Sequence, residues 1–348
     1  MHTDTLSPLA FHQISDAVLP GHGQAALLLD LARTQEITLS EQHALSQAAA
    51  QQTAITPETY LQALRSFFSQ RPERDSSFLL GQQLLPGHYG HLSQALIHAP
   101  NLRDALRHIC VHYQTLCPLL RPRLIESERF LILYWCDSYG VPALRNQLVE
   151  MHMSAVVALA RWLAECRFQW RFCFNRPPPR TAEQHQTFLG HDLQFSCQLD
   201  AMVISREQAE RAWPRASQIA WQLAQQQSPP PACNPSLLNQ LYDYLQSRLR
   251  QQPVLEQTAQ DFGLSPATLK RYLSKHGSHF QAELDLCRTH MALYLLTVQG
   301  MDTEQVANWL GFHDANNFRR SCKRWTGVSP SSLRADILTR LNQPGWLS

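Results

Sequence analysis

A short pattern occurs twice between Leu255 and Arg334, and it restricts the fold more than anything else in the chain. The first copy runs Thr258-Ala259-Gln260-Asp261-Phe262-Gly263-Leu264-Ser265 and continues through Gly277. The second runs Val306-Ala307-Asn308-Trp309-Leu310-Gly311-Phe312-His313-Asp314 and continues through Gly327. Ala259 and Gly263 match Ala307 and Gly311 at a spacing of 48 residues, whereas Leu269 and Arg271 match Phe318 and Arg320 at 49. The second turn therefore holds one extra residue.

Each copy has the parts of a helix-turn-helix. A small residue, Ala259 or Ala307, sits where a second helix must cross closely. A glycine follows, the residue that tolerates left-handed backbone at a helix end. Leu264 or Phe312 then plugs the corner. Ser265 caps the next helix, with Pro266 at its first position, where a missing N–H does no harm; Asp314 is the matching cap in the second copy. The second helices present Lys270 and Arg271, then Asn316, Asn317, Arg319 and Arg320. Such side chains make bidentate contacts to guanine and adenine edges in the major groove. One match would be weak, because helical hairpins with a glycine turn are common; two in tandem, each followed by basic residues, point to duplex DNA.

A chain of 348 residues suggests two domains. Its net charge of +2 does not itself announce a nucleic-acid binder. From Ser236 onward there are 12 Lys/Arg and 9 Asp/Glu, a small positive bias. No apolar run approaches the roughly 18 residues of a membrane helix, and the N-terminus lacks the basic-then-apolar form of a secretory signal. Nine cysteines without a Cys-x-x-Cys pair favour reduced thiols and a cytoplasmic location.

In chain order, apolar periodicity places helices over Ala25–Leu31, from Pro57, over Leu92–Ala99 and over Leu102–Leu116. Arg123–Ser127 and Phe130–Cys136 read as a hairpin, and Pro142 opens a long helix with Leu148, Met151, Ala155 and Leu159 inward. Phe168, Trp170, Phe172 and Phe174 alternate with polar residues as a half-buried strand should, and Phe195, Cys197 and Leu199 alternate again. Thr181–Leu189 and Ser205–Gln227 read as helices. The expected fold is an α+β N-terminal domain, a small antiparallel sheet with helices. An all-α C-terminal domain follows, with two helix-turn-helix units joined by the amphipathic helix Phe280–Leu296. Glutamines, serine and three prolines from Gln225 to Pro231 break the chain. The division is therefore 1–226, a linker at 227–235, and 236–348.

Residues 236–334 resemble the DNA-binding domain of AraC/XylS-type bacterial transcription regulators. The signature portion is Ala307-x-x-x-Gly311-Phe312, Phe318-x-Arg320, Lys323-x-Trp325-x-Gly327-Val328-Ser329-Pro330 and Arg334. Cys322 and Leu333 depart from the usual pattern, at what look like core positions. The resemblance implies DNA contacts from Ala267, Thr268, Lys270 and Arg271 in the first recognition helix. In the second it implies Ala315, Asn316, Asn317, Arg319, Arg320 and Lys323. For Arg319, Lys323 and Arg324, a phosphate contact or a solvated face is as good a reading as a base contact. The partners implied are promoter DNA and RNA polymerase, with a homodimer possible and no membrane.

Residues 20–215 more weakly resemble the effector domain of ornithine- and arginine-utilisation-type members, through Leu92–Leu116 and Phe172–Phe195, including Phe188-Leu189-Gly190. This implies an unidentified small-molecule effector. Tyr134, Trp170 and Phe172 on the sheet, with His152 on the long helix, mark a candidate pocket, although large aromatics at this spacing are more often plain core. His108 and His112, one turn apart, lack the further ligands a closed zinc site needs. No cofactor or catalytic constellation is expected. The alternative class is a DNA-binding module fused to a cysteine-based alkyl-acceptor repair enzyme; Cys136, Cys173 and Cys197 have no obvious base beside them.

Overall fold

The computed structural model describes residues 9–70, 75–231 and 234–334. Two compact units emerge: His12–Cys233, and Asn234–Ser348 together with Met1–Phe11.

The first unit begins with helices α1 (Gln24–Thr34), α2 (Gln42–Gln51) and α3 (Pro57–Gln70), tied by a two-residue ladder between β1 (Leu19–Pro20) and β2 (Ala54–Ile55). Then come α4 (Ser76–Leu84), α5 (His91–Ile97), α6 (Leu102–Val111) and the single turn α7 (Tyr113–Leu116). Asn101 caps α6 by accepting a hydrogen bond from the Asp104 N–H. The apolar stripe expected to run unbroken to Leu116 is interrupted at His112.

The hairpin β3 (Leu120–Glu126) and β4 (Phe130–Asp137) follows, with Leu124 opposite Leu133. A five-stranded sheet of order β3-β4-β7-β5-β6 is completed by β5 (Arg171–Cys173), β6 (Leu193–Gln194) and β7 (Ala201–Ser205). All neighbours are antiparallel except β5 and β6. Phe130 to Cys136 is buried throughout, as an unbroken apolar strand between two partners should be. Pro122 falls in β3, which pairs only with β4; an edge tolerates a missing N–H.

The long helix is α8 (Arg145–Ala164), entered through a 3-10 turn at Pro142–Leu144. Gly81 of α4 lies against the α8 backbone: a Cβ there would stand 2.2 Å from the Met151 carbonyl oxygen. Two hydrogen bonds clip the crossing, Ser154 Oγ to the Phe78 carbonyl at 2.8 Å and Ser77 Oγ to Glu150 Oε2 at 2.6 Å.

Three expectations need correction. Ser205–Gln227 is not one helix: it splits into α10 (Arg206–Glu210) and α11 (Gln218–Gln227), because Pro214 cannot donate within a helix. Phe195, Cys197 and Leu199 lie outside any strand; pairing ends at Gln194. The Phe168–Phe174 strand shortens to Arg171–Cys173, and Arg171 is buried rather than outward-facing because its Nε donates to Asp192 Oδ2 at 2.8 Å. The helix expected at Thr181–Leu189 is α9 (Glu183–Phe188).

The second unit is helical: α12 (Leu237–Arg248), α13 (Leu255–Asp261), α14 (Pro266–Lys275), α15 (Phe280–Thr297), α16 (Thr303–Trp309) and α17 (Ala315–Thr326). Its core joins α12 to α15, where the Tyr242 hydroxyl and His290 Nδ1 lie 2.8 Å apart. Cys322 and Leu333 are fully buried, as their positions implied. A small antiparallel sheet with helices, followed by a helical unit carrying the two hairpins, is thus the fold that the sequence led us to expect.

Candidate DNA-binding face and effector cleft

The two turns repeat one another bond for bond. In the first, Gly263 N–H donates to the Gln260 carbonyl at 2.9 Å and Leu264 N–H to the Ala259 carbonyl at 2.8 Å. In the second, Gly311 N–H donates to Asn308 at 3.1 Å and Phe312 N–H to Ala307 at 2.9 Å. Both glycines are left-handed, at φ +67° and +74°, a region that costs a β-carbon residue about 1–2 kcal/mol. Ala259 and Ala307 are buried, where a larger side chain would hold the paired helices apart.

Capping then aims the second helix of each pair. Ser265 Oγ accepts from the Thr268 N–H at 3.1 Å, with Pro266 at the first helical position. Asp314 accepts from the Asn317 N–H at 2.7 Å and from Asn317 Nδ2 at 2.9 Å. The bond from the Asn317 backbone N–H, first among the causes, holds the Asp314 carboxyl below the ordinary range. Asp302 and Gln305 form a reciprocal capping box ahead of α16.

Along α14, Leu269 and Leu273 face inward, while Ala267, Lys270 and Arg271 are exposed and Thr268 is half-buried beside the cap. Along α17, Phe318 and Cys322 face inward; Asn316, Arg319, Arg320 and Lys323 are exposed, and Ala315 and Asn317 are half-buried. Two hydrogen bonds at i,i+3 spacing order this face: Arg319 to Asn316 Oδ1 at 2.8 Å and Arg320 to Asn317 Oδ1 at 2.7 Å. Arg320 is thereby linked through Asn317 to the Asp314 cap. A guanidinium and an amide held side by side present donors and acceptors in a fixed array, and less rotamer entropy is lost on binding.

The segment between α12 and the first hairpin also reaches the second turn. Gln252, left-handed at φ 51°, sends its side-chain amide to the Gly311 carbonyl at 2.5 Å, and the Arg250 guanidinium lies 5.5 Å from the Trp309 ring centre. Beneath the second turn, the Arg288 guanidinium from α15 lies about equally far from the Phe312 and Trp325 rings, at 6.0 and 5.9 Å. Sequence reasoning missed these couplings, because nothing local marks Gln252 or Arg288 as neighbours of the second turn.

In the first unit a cleft of about 260 Å³ opens between the end of α8, the segment after it and the turn following α9. Val157, Trp170 and Leu189 form buried walls, and Arg161, Arg167, Gln186 and His191 stand exposed around it. Of the sequence candidates, Trp170 lines this cleft. Tyr134, His152 and Phe172 are buried and do not line it. Burial pushes His152 down to about 4, against a backbone contact to Leu148. The His108 and His112 rings lie 4.6 Å apart between centres, tilted at 49° to one another. Among the described residues no group of three or more His, Cys, Asp or Glu is placed to hold a metal. Burial pushes the Cys110 thiol up to about 12 and Cys322 up to about 11, the wrong direction for a nucleophile. No helix among the described residues is long and apolar enough to cross a membrane.

Comparison with known proteins follows the same division. Residues 26–212 match the family described as the arabinose-binding domain of AraC transcription regulator, N-terminal, and residues 258–336 match a helix-turn-helix domain family. The chain is 28% identical over 261 residues to the ornithine utilization regulator of Pseudomonas aeruginosa, covering 74% of this chain and 77% of that protein. It is 29% identical over 91 residues to the transcriptional regulator VqsM of the same species, covering 26% and 28%. Among solved structures, the transcriptional regulator CdpR from Pseudomonas aeruginosa aligns over 89% of this chain and 96% of its own, with 18% identity and a TM-score of 0.45. The DNA-binding domain of AdpA in complex with a target DNA aligns over 31% of this chain and 96% of its own, with 27% identity and a TM-score of 0.28.

Proposed function

This chain belongs to the AraC-type transcription regulators, and from that premise we propose that it responds to a small-molecule effector and sets both recognition helices into successive major-groove turns of promoter DNA. The observation that carries the reading is the duplicated turn, matched hydrogen bond for hydrogen bond, with exposed basic and amide side chains on the helix that follows each copy. We assign base reading to Lys270 and Arg271 on α14 and to Asn316, Asn317 and Arg320 on α17. Lys323 meets the phosphate backbone, and Ala267, Thr268, Ala315 and Arg319 complete the face.

The joining helix α15 has 18 residues, about 27 Å of rise. Successive major-groove turns lie about 34–36 Å apart. If the recognition helices follow the length of α15, the DNA closes the difference by bending toward the protein, at a cost on the order of 1–6 kcal/mol. Nuclease footprinting with the full chain should show two protected patches one helical turn apart on one side of the duplex. Protection of a lone half-turn would reject the reading.

Two substitutions separate base readers from phosphate contacts. Arg320→Ala should weaken specific binding by about 1–3 kcal/mol, roughly five- to 150-fold, with little loss on non-specific duplex. An equal loss on both would reassign it to the backbone. Lys323→Ala should lower affinity about equally on all sequences and reduce the log-log salt slope by about one. A loss confined to one promoter would place Lys323 on a base.

We assign the effector to the cleft beside Trp170 in the first unit, with residues 227–235 as the linker. Likeness to an ornithine utilization regulator over most of that unit supports a metabolite-sized effector. Ligand binding shifts self-association or the placement of the DNA-binding unit, and the DNA-bound form contacts RNA polymerase.

A further inference from the structure

The chemistry around the cleft says what class of molecule fills it. Its lining contains two arginines and a histidine but no carboxylate. Arg161 and Arg167 are exposed at the rim and form no ion pair among the described residues. The acids nearest in sequence do not cancel them. Glu165, just before the cleft segment, accepts from Arg215 Nε at 3.0 Å, and Asp192, next to His191, accepts from Arg171 Nε at 2.8 Å. Each of these carboxylates pairs with another arginine, and none of the described carboxylates forms an ion pair with Arg161 or Arg167. Behind it lie Val157, Trp170 and Leu189, all buried.

Gly190 faces this space with φ +119°, and a Cβ built there would meet nothing within 4 Å. The turn therefore leaves room at the wall. The volume, about 260 Å³, lies just under the roughly 300–1,000 Å³ of drug-sized ligand sites, so the occupant is small.

We infer that this cleft binds a small organic anion, a carboxylate with a short apolar or aromatic body, with Arg161 and Arg167 holding the carboxylate and Trp170 packing against the body. Guanidinium groups pair with carboxylates through two parallel N–H donors. The apolar walls behind them take up the body of the ligand. A ligand carrying an ammonium group would instead meet like charge at the rim. This rests on the reading of the first unit as an effector domain and adds the class of effector.

The test uses the full chain at fixed ionic strength. Thermal unfolding and calorimetric titration are run with acetate, benzoate, phenylacetate, 3-phenylpropionate and succinate, each beside its amide, and with 2-phenylethylamine. At least one carboxylate should raise Tm and bind, while its amide and the amine do not. The Arg161→Ala/Arg167→Ala double variant should keep its unliganded Tm and lose at least tenfold in affinity for that carboxylate. Three results would overturn the inference: no carboxylate in the series binds, the amide or amine binds as well, or the double variant binds unchanged. A preference for the amide or amine would remove the anion and leave the effector reading standing. A carboxylate held by both arginines that leaves the promoter footprint and its affinity unaltered would keep the anion and end the effector reading.

Discussion

Gly81→Ala should destabilise the first unit by about 2–3 kcal/mol, toward the upper end of overpacking costs in a close-packed interior. The new methyl carbon would sit 2.2 Å from the Met151 carbonyl oxygen, 2.9 Å from its carbonyl carbon and 2.9 Å from Ser154 Cβ. Two of these three atoms are backbone, so no rotamer change relieves the clash; α4 must lift away from α8. Alanine in a helix interior gains about 1 kcal/mol over glycine, and that gain is already subtracted here. Lifting α4 also strains the hydrogen bonds of Ser77 to Glu150 and Ser154 to Phe78. In a unit of this size the loss corresponds to roughly 5–10 °C in Tm, and Gly81→Val should cost more. An unchanged or higher Tm for Gly81→Ala would mean that the two helices do not meet at this carbonyl. α8 also carries Glu150, whose Oε1 lies 2.5 Å from an Arg176 nitrogen and 3.1 Å from His185 Nε2. Burial works to raise that carboxyl; His185, Arg176 and Ser77 outweigh it and bring it below the ordinary value. The same helix lines the cleft through Val157 and Arg161, so displacement at Gly81 should weaken carboxylate binding as well.

What the sequence made legible was local. Glycines at the two turns, Ser265 and Asp314 at the caps, and the apolar pairs Leu269/Leu273 and Phe318/Cys322 announce their geometry within a dozen residues, so the two hairpins and the exposed side of each second helix could be laid out in advance. The cleft could not. Its rim joins the end of α8 to the turn after α9, and no period or spacing links Arg161 to His191. The aromatic alternation at Phe168–Phe174 points instead to the sheet face of Tyr134 and Phe172, which are buried and do not line the cleft. Arg171 was hidden for a related reason. A charged residue between aromatics reads as outward-facing, and only the distant Asp192 makes its burial affordable. The helix α4 lay outside the expected elements, and the need for glycine at position 81 shows only once the α8 backbone it packs against is known.

Acid should weaken the first unit well before its carboxylates titrate, because two of its histidines are buried in the neutral form. Burial pushes His152 down to about 4; for His108, burial first and then the neighbouring His112 do the same, also to about 4. At His152 the tautomer is fixed by its surroundings. Nδ1 lies 2.7 Å from the Leu148 carbonyl, which can only accept, so Nδ1 carries the proton. Nε2 is buried without a partner among the described residues, and protonating it would place an unsatisfied cationic N–H in the core. His108 Nε2 is likewise buried and unpartnered.

The folded pKa values lie below the unfolded value of about 6.5, so between them the unfolded chain binds more protons, and stability rises with pH. The contribution is fully present above pH 6.5 and is lost as pH falls toward 4. At about 1.4 kcal/mol per pH unit for each group, lowering pH from 6.5 to 5 should remove on the order of 2 kcal/mol per histidine. Two such losses are a large share of the 5–15 kcal/mol that holds a domain together. Urea unfolding of the first unit, followed from pH 7 to pH 5, should show this slope. His152→Leu should flatten it by about one proton while keeping the helix, since leucine is a good helix former. Parallel slopes for the two proteins would mean that His152 reaches water, or a hydrogen-bond acceptor, in the folded state and is not held neutral by burial.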